Sequence, residues 1–591
     1  MDNEKIENML NLALEATPLE REKSLELNVG FNPLDDRWDI IVRYVDDISF
    51  LYELDNVDVV TLANNYAIIT LPQELINVIA DYDRIIFIEK PKRLLFSLLD
   101  ARQASCIGQV QQPMRGESLA LFGRGVIVAI IDSGIDYNNK VFKNADGTSR
   151  ILELWDQTVP GNPPEGYRIG TVYTREQINE AIRQPTEQER YSIVPSRDLS
   201  GHGTHVAGIA AGNFSEDLNR NLGIATQSDL IVVKLGNPNP YSFPRTSELM
   251  QAVDYVVKRG AFYRRPIAIN LSFGNSYGSH DGTTLLETFL DSVSNIGRNA
   301  IIVGTGNEGA GHGHSRVYLN REAGSAQQPP TDVEFEVSEF ETALNLQIWK
   351  SYTDEFNIEI ISPSGNTVGP LVPFSRAVRY RVENNSTLLL TYYGMPNPYI
   401  LYQEIFIDFI PIGSYIKSGI WKIRLTPRKI VVGQVDMWLP GSATLNSNTA
   451  FLQPSTETTL TIPSTSYNVI SVGAYDSSTF TYANFSGRGY TRFNEFIKPD
   501  LVAPGVNITS AAVGGGYDVR TGTSMATPFV TGSAALLMEW GIIERNDPYL
   551  YGEKLKAYLI QGARRFPAIR DYPNEQLGYG ALCLVNSLRI I

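Results

Sequence analysis

The sequence has 591 residues, of which 43% are hydrophobic and 19% charged, with a formal net charge of −15 and two cysteines. A chain of this length exceeds one ordinary hydrophobic core, so two or three domains are expected. The negative charge disfavours nucleic acid and anionic membranes as partners, and two cysteines, Cys106 and Cys583, exclude a disulfide framework. We expect both thiols to be free, although one bridge between them stays open.

The N-terminal stretch MDNEKIENMLNLALEATPLERE carries acidic side chains where a secretory signal carries positive charge before an apolar core. No apolar run approaches membrane-spanning length. We therefore expect cytoplasmic synthesis without membrane insertion, while release by another route, such as lysis, stays open. Residues 38–93 predict a small, separately folding α+β unit, with strands in WDIIVRYV, VDVVTL, YAIITLP and RIIFIEKP and a helix in QELINVIADY.

Beyond residue 120, short apolar runs alternate with amphipathic segments. The apolar runs are GVIVAIIDSG, DLIVVKLG, PIAINLSFG and NAIIVGTGNEG, and the helical segments include HGTHVAGIAAG, SELMQAVDYVVKRG and LLETFLDSVSNIG. This alternation predicts a parallel sheet flanked by helices. Ligands of such sheets bind at the carboxyl ends of the strands, where we expect Asp132, Ser272 and Asn307 to lie.

From about 318 to 460 the hydrophobic period changes to two, in VEFEVS, LNLQIWK, FNIEIISP, TLLLTYY, IFIDFIP and GIWKIRLTP. This predicts an antiparallel β-sandwich inserted into the α/β domain. The α/β pattern then resumes with NVISVGAY, IKPDLVAPGV and the helix SMATPFVTGSAALLMEWG. Tyr392, Tyr393, Trp421 and Trp438 suit a sandwich core as well as a ligand face. We favour a rigidifying role for the insertion over binding of a protein or glycan.

Three motifs follow one another in the α/β parts: IDSGID with Asp132, GHGTHVAG with His202 and TGTSMATP with Ser524. Serine hydrolysis needs a hydroxyl, a base that takes its proton, and a carboxylate that orients the base. The order Asp, His, Ser is that of subtilisin. Together with GNEG, which contains Asn307, these motifs resemble those of subtilisin-like serine proteases over roughly residues 120–310 and 460–590.

This resemblance implies that Asp132 orients the base, that His202 acts as general base and then acid, and that Ser524 is the nucleophile. Asn307 would supply a side-chain N–H to the oxyanion hole, beside the backbone N–H of Ser524 at a helix start. The implied fold is a subtilisin-like α/β sheet flanked by helices, with an N-terminal α+β prodomain and an inserted jelly-roll-like antiparallel β-sandwich. The corresponding domains are a prodomain, a first catalytic part, the sandwich and a second catalytic part, at residues 1–96, 97–317, 318–460 and 461–591.

The stretch NLSFG resembles the edge strand that binds substrate backbone in this family, with Ser272, Phe273 and Gly274 as candidates. A prodomain that assists folding and then inhibits the enzyme implies one self-cleavage after EKPKRLLF, at Phe96–Ser97. The expected partners are a protein substrate and the cleaved prodomain, with no cofactor or metal. The arrangement is most similar to the clostridial Csp germination proteases, which implies cleavage of the precursor of a spore cortex-degrading enzyme and association with the spore.

Several alternatives stay open at this point. Some Csp members lack triad residues and act as sensors, so a pseudoprotease or binding protein is the alternative to an endopeptidase, although this chain retains all three residues. His202 and His205 lack a third metal ligand, and His205 is interpreted as a packed helix residue. His312 and His314 are expected to be exposed loop residues. Asp198 either faces the second side chain of the substrate or is a solvated loop residue.

Overall fold

The protein is described by a computed structural model, in which the chain divides into two compact units, Met1–Phe96 and Ser97–Ile591. The predicted processing site, Phe96–Ser97, lies outside the described residues. The structure describes residues 5–18, 21, 27, 30–32, 35–62, 64–91, 98–111, 119–214, 223–236, 244–320, 329–373, 377–383, 386–395, 402–492 and 496–589.

The first unit is an α+β fold built on one antiparallel sheet. Its core is formed by every second side chain of the long strand Arg37–Tyr44, including Trp38, Ile40 and Val42, together with the apolar face of a helix. The strand order is β1-β2-β4-β3, with β5 paired to β2. The elements are α1 Asn8–Glu15, β1 Phe31–Asn32, β2 Arg37–Tyr44, a 3₁₀ turn Ser49–Glu53, β3 Asp58–Leu62, β4 Tyr66–Pro72, α2 Gln73–Ala80 and β5 Ile85–Glu89. The strands and the helix predicted between residues 38 and 93 are confirmed.

The second unit begins with alternating strands and helices. The four predicted strands and three predicted helices of this part are confirmed, and one strand pair and two further short helices lie between residues 151 and 193. The helices are α3 Leu98–Ala104, α4 Gly108–Gln111, α5 Arg175–Ile182, α6 Glu187–Ile193, α7 His202–Ala211, α8 Thr246–Phe262 and α9 Leu285–Ser294. The strands are β6 Ile127–Asp132, β7 Ile151–Asp156, β8 Thr171–Thr174, β9 Asp229–Lys234, β10 Ile267–Leu271 and β11 Asn299–Gly304.

Two antiparallel sheets follow, and they share one hydrophobic core that includes Phe335, Phe409 and Trp421. The orders are β12-β21-β14-β19-β18-β17 and β16-β15-β20-β13-β22. The strands are β12 His314–Tyr318, β13 Thr331–Val337, β14 Leu344–Ser351, β15 Glu355–Ile361, β16 Thr367–Val368, β17 Val378–Val382, β18 Thr387–Tyr393, β19 Tyr402–Pro411, β20 Gly419–Lys429, β21 Gln434–Trp438 and β22 Ala450–Phe451. The first strand thus begins before residue 318, the start that the sequence predicts for the sandwich.

The chain then returns to the α/β sheet. The strands are β23 Ile470–Asp476, β24 Thr481–Tyr482, β25 Gly489–Tyr490, β26 Ile497–Lys498, β27 Leu501–Pro504, β28 Ile508–Ala511 and β29 Tyr517–Arg520, and the helices are α10 Thr523–Met538, α11 Gly552–Gly562 and α12 Leu584–Arg589. The large sheet has the order β24-β23-β11-β10-β6-β9-β7-β8, with β27 paired to β23. Its central pairs β11–β10, β10–β6 and β6–β9 are parallel, so their carboxyl ends meet at one edge.

The central helix of this unit, α10, is almost entirely buried and carries no charged side chain. Together with the π-helical turn Glu539–Ile543, it forms a segment of 21 residues that is long and apolar enough to cross a membrane. The expectation that no apolar run approaches this length is therefore wrong. However, 89% of its most apolar window is buried inside the protein, so the segment is accounted for as a core helix.

His314 is buried, with an exposed fraction of 1%, which corrects the expectation of a loop histidine, whereas His312 is exposed. The ring of His314 hydrogen-bonds the buried carboxylate of Asp436 through Nε2 at 3.0 Å. Arg316 and Arg492 donate to the same carboxylate at 2.6 and 2.8 Å. These three partners lower the pKa of Asp436 despite its burial. The polar strand β12 is thus stabilised by charges far away in the sequence.

Cys106 and Cys583 form a disulfide across 477 residues of sequence. The expectation of two free thiols is therefore wrong. A backbone hydrogen bond lies beside the bridge, since the N–H of Leu584, which follows Cys583, donates to the carbonyl oxygen of Ser105, which precedes Cys106, at 3.0 Å. The bridge fastens the first helices of the second unit to its last helix.

Candidate active site

Asp132 and His202 form a hydrogen-bonded pair at the carboxyl edge of the parallel sheet. Asp132 is the last residue of β6 and is 3% exposed. Its Oδ1 accepts from the N–H of Ser133 and lies 2.7 Å from Nδ1 of His202. A carboxylate at Nδ1 fixes the proton there and leaves Nε2 free to accept one. Burial disfavours the imidazolium, but the charge and hydrogen bond of Asp132 outweigh it and raise the pKa of His202 above its ordinary value.

Asp198 organises the start of helix α7, of which His202 is the first residue. It is 4% exposed, so neither a substrate-facing nor a solvated-loop position is correct. Its Oδ1 accepts from the Ser133 hydroxyl at 2.8 Å and the Gly201 N–H at 2.9 Å. Its Oδ2 accepts from the N–H and the hydroxyl of Thr204 at 2.8 and 2.7 Å. A carboxylate that accepts these helix-start donors stabilises the turn that carries His202.

Ser524 and Asn307 meet at the start of helix α10. The side-chain oxygen of Asn307 accepts from the N–H of Thr523 at 3.0 Å, and because a backbone N–H only donates, this contact fixes the orientation of the amide. The Nδ2 group is then the other arm of the Asn307 amide, and a Cβ added to Gly522 would lie 3.3 Å from it. Ser524 follows at the second helical position. Its backbone N–H and this amide are the donors expected of an oxyanion hole.

The hydroxyl of Ser524 points to a neighbouring strand end. It donates to the backbone carbonyl oxygen of Ser272 at 2.9 Å, and the Ser272 hydroxyl lies 3.3 Å from the carbonyl oxygen of Ser524. Across the described part of the chain, no hydrogen bond joins the Ser524 hydroxyl to His202. Proton transfer to the imidazole therefore requires the serine side chain to turn about its Cα–Cβ bond. Catalytic hydrogen bonds are often loose in proteins without bound substrate.

Ser272, Phe273 and Gly274 lie directly after β10 and line a cleft of about 970 Å³ that also reaches Asp132 and His202. Phe273 is half-buried and Gly274 is exposed, so this segment presents backbone to the cleft. The cleft is mainly apolar beyond the polar pair, as is usual for a ligand site. Its apolar walls include Leu235, Leu249, Leu285, Leu286, Ile462 and Pro463.

His205 takes no part in this site. It is fully buried, and its Nε2 lies 3.0 Å from the carbonyl oxygen of Ile508 and 3.1 Å from that of Asp518. Burial lowers its pKa to about 4, so the ring is neutral and packed, as interpreted from the sequence. No cluster of three metal-ligating side chains occurs in the ranges that the structure describes.

The fold defines a subtilisin-like α/β protein with an appended N-terminal α+β unit. Residues 123–400 and 442–580 match the subtilase family, and residues 4–92 match the Csp protease B prodomain. The chain therefore belongs to the subtilase family, whose members are serine endopeptidases. It carries a CspB-type prodomain.

Individual relatives agree with this assignment. The structure of the Clostridium perfringens CspB protease is 36% identical, covers 83% of this chain and 97% of that chain, and superposes with a TM-score of 0.74. The minor extracellular protease Vpr of Bacillus subtilis is 23% identical over 80% of this chain and 52% of Vpr. The serine protease AprX of Bacillus subtilis is 35% identical over 22% of this chain and 32% of AprX. The chain thus spans about half the length of Vpr.

Proposed function

We propose that this chain is a serine endopeptidase that processes itself and then cleaves a protein precursor. The observation that carries the proposal is the 2.7 Å hydrogen bond between Asp132 and Nδ1 of His202, at the mouth of a cleft bordered by the candidate substrate strand. An imidazole held in this tautomer, with its pKa raised by a carboxylate, is suited to accept a proton from a hydroxyl and pass it on.

The proposed reaction uses the same groups to form the acyl-enzyme and to hydrolyse it. Ser524 turns to His202, loses its proton to Nε2 and attacks the substrate carbonyl carbon. The negative oxygen that forms is stabilised by the N–H of Ser524 and the Nδ2 group of Asn307, and loss of one such donor costs about 10²–10³ in turnover. His202 then protonates the leaving amine, and water releases the acyl group by the same steps.

A Ser524→Ala variant tests the proposal. We expect the full-length chain to accumulate uncut, because loss of a triad serine lowers turnover by about 10⁶. Ser533→Ala is the matched control, since Ser533 lies in the same helix with a buried hydroxyl that has no partner among the described residues. Gel analysis and N-terminal sequencing read out the cut. If the alanine variant at 524 yields the same N-terminus, processing is done by another protease.

The pH profile provides a second test. His202 acts as a base only when neutral, so kcat/KM rises with pH through the pKa of His202 in the free enzyme. Because that pKa is raised, the midpoint is expected above the ordinary value of 6.5. Asp132→Asn removes the charge that raises it and disfavours the required tautomer, and we expect a loss of about 10⁴ in kcat.

The hydrogen bond from Ser524 to Ser272 favours a second candidate function, that of a non-catalytic binding or sensor protein. In that case the hydroxyl serves to fasten α10 to β10 and never turns to His202. A fluorophosphonate reagent separates the two functions, because it labels only a serine that an adjacent base activates. Labelling at Ser524 supports the endopeptidase, and its absence in the processed chain supports the sensor.

The CspB-type prodomain and the sequence resemblance support a narrower proposal for the substrate. We propose that it is the precursor of a spore cortex-degrading enzyme, cut during germination, and that the protein is made in the cytoplasm and held in the spore. Incubation of the purified protease with such a precursor, followed by N-terminal sequencing of the product, tests the substrate. Fractionation of spores and mother cells tests the location.

A further inference from the structure

The outer face of the six-stranded sheet of the sandwich carries a row of apolar side chains. In strands β18 and β19 every second side chain, such as Leu389 and Ile407, points into the sandwich core. The alternate side chains point outward, and five of them are apolar: Leu388, Leu390, Tyr392, Phe406 and Ile410. All five are half-buried or exposed, and none belongs to a hydrophobic core formed by the described residues. Apolar surface of this kind commonly marks an interaction site.

These five side chains form one continuous surface. Leu388 lies directly opposite Ile410, and Tyr392 lies directly opposite Phe406. Leu390 lies between the two pairs on the same face. Opposite side chains on one face of an antiparallel pair have Cβ atoms about 4.5–5.5 Å apart. The five are therefore contiguous, and we call them the sandwich patch.

The sandwich patch begins beside the cleft. In the neighbouring strand β14, Gln347 lies directly opposite Phe406. The Gln347 amide donates to the carbonyl oxygen of Ser276 at 3.1 Å, and the Asn345 amide donates to the hydroxyl of Tyr277 at 3.1 Å. Tyr277 lines the cleft. The outer face of this sheet therefore meets the rim of the cleft at β14, one strand away from the patch.

A polypeptide bound in the cleft can reach the patch within a few residues. The rim segment 275–278 directly follows the candidate substrate strand 272–274. Neighbouring strands lie about 5 Å apart, so β19 and β18 are about 5 and 10 Å from β14, and an extended chain covers about 3.3 Å per residue. About two to three further residues are thus enough to cross from the rim to the patch. A peptide that occupies only the strand 272–274 does not reach it.

Charged side chains lie on both sides of Leu390 in the patch. Arg379 of the edge strand β17 lies opposite Leu390 on one side, and Asp408 of β19 lies opposite it on the other. Arg379 and its outward-facing neighbour Arg381 are exposed. Within the described ranges, none of these three charged groups has a hydrogen-bond or ion-pair partner, and burial raises the pKa of Asp408. An acidic group placed over β17 and a basic group placed over β19 would supply these partners.

We propose that the sandwich patch is an exosite for the protein substrate, where a segment of the same polypeptide that enters the cleft binds beyond the strand 272–274. This segment carries apolar side chains between an acidic residue over β17 and a basic residue over β19. The inference rests on the proposed function, since it requires a protein that is cleaved. It gives the inserted sandwich a role in selecting that protein.

Two aspartate substitutions at matched exposure test the exosite. Tyr392 in the patch is 46% exposed, and Ile420, on the outer face of the five-stranded sheet, is 44% exposed. Each variant is assayed with the precursor of a spore cortex-degrading enzyme and with a tetrapeptide p-nitroanilide that carries the four residues before the self-cleavage site. We expect Tyr392→Asp to lower kcat/KM for the precursor about tenfold, mainly through KM, and kcat/KM for the tetrapeptide by less than about twofold. Ile420→Asp should change neither value.

Arg379→Glu combined with Arg381→Glu tests the charges and leaves the apolar side chains in place. Both arginines are exposed, so this variant is expected to fold as the native chain does. We expect kcat/KM for the precursor to fall about threefold or more at about 50 mM salt and to approach the native value at about 500 mM salt, where such charges are screened. Cleavage of the tetrapeptide should be unchanged at both salt concentrations.

The outcomes separate this inference from the proposed function. Unchanged cleavage of the precursor in Tyr392→Asp and in the arginine variant would overturn the exosite and leave the endopeptidase intact. Equal losses on both substrates would do the same, as would a native enzyme that cuts the tetrapeptide but not the precursor. A dimer in sedimentation velocity that Tyr392→Asp dissociates, with cleavage of the precursor unchanged, would assign the patch to a second copy and overturn the proposal.

Fluorophosphonate labelling of Ser524 provides the control for folding and activity. Labelling of every variant to the native extent shows that the variants are folded, so a loss confined to the precursor is then a loss of substrate binding. No cleavage of either substrate by the native enzyme, together with no labelling, would overturn the proposed function and the exosite with it.

Discussion

Replacing Asp198 with asparagine tests whether the buried carboxylate, rather than the histidine motif alone, positions the catalytic base. One of its oxygens faces the N–H of Gly201 and the other faces the N–H of Thr204. Whichever way the asparagine amide is turned, its NH₂ group meets a backbone N–H that cannot accept. One buried donor is left unpaired, and the other hydrogen bonds lose the negative charge that strengthens them. Together these losses lower the free energy of unfolding by about 3 kcal/mol. With the unfolding entropy typical of a unit this large, the melting temperature should fall by about 3 °C.

The effect on turnover should be larger than the effect on stability. His202 lies between Gly201 and Thr204, so a shift of this turn moves the imidazole, and a displacement of about 1 Å costs up to about 10²-fold. We expect kcat on labelled casein to fall at least tenfold with KM nearly unchanged. Asp146→Asn, at an exposed turn aspartate that accepts from Thr148, is the control. A variant at 198 that melts early but turns over normally would refute the positioning role.

The remaining predictions concern stability and the oxyanion amide. Replacing both Cys106 and Cys583 with serine should lower the free energy of unfolding by about 6 kcal/mol, because the bridge closes a loop of 477 residues. Melting of this variant with and without reductant should be identical. Burial raises the pKa of Glu287 from 4.5 to about 7. Between pH 4.5 and 7 the folded state therefore keeps a proton that the unfolded state loses. The free energy of unfolding falls by about 3 kcal/mol as the pH rises through this range. Melts from pH 4 to 8 should lose this slope in Glu287→Gln. Glu308 accepts from the N–H and the hydroxyl of Ser442. Glu308→Ala should loosen the neighbouring Asn307 amide and lower kcat for peptide hydrolysis about threefold to tenfold with little change in KM. Glu308→Gln keeps an acceptor and should retain most of the native kcat.

Much of the fold could be predicted because local pattern and tertiary environment agree in it. The fully buried strands β6, β10 and β11 read as continuous apolar runs, and the strands of the sandwich alternate as half-buried strands do. The sequence does not predict strand β12, because its polar residues His314 and Arg316 pair with Asp436, about 120 residues away. The sequence does not predict the disulfide for the same reason, since no local pattern shows whether two cysteines 477 residues apart are close in space.

The candidate site divides in the same way. Asp132, His202, Ser524 and Asn307 lie in short motifs with a fixed order, and their chemistry can be inferred from residue type and spacing. Asp198 belongs to no motif, because its role depends on which atoms fold around it. The one signal for Asp198 was its position just before the helix start, where a carboxylate is a common cap.

The bridge between Cys106 and Cys583 makes the protease unit a covalent ring, with the two Cα atoms only 4.9 Å apart. A short peptide linker across this join would give a circular backbone, and new ends could be opened at the exposed sandwich turn around Gly413. Such a circular permutant would keep every strand of the parallel sheet on one uninterrupted path. A fused reporter or affinity tag would then leave from the sandwich.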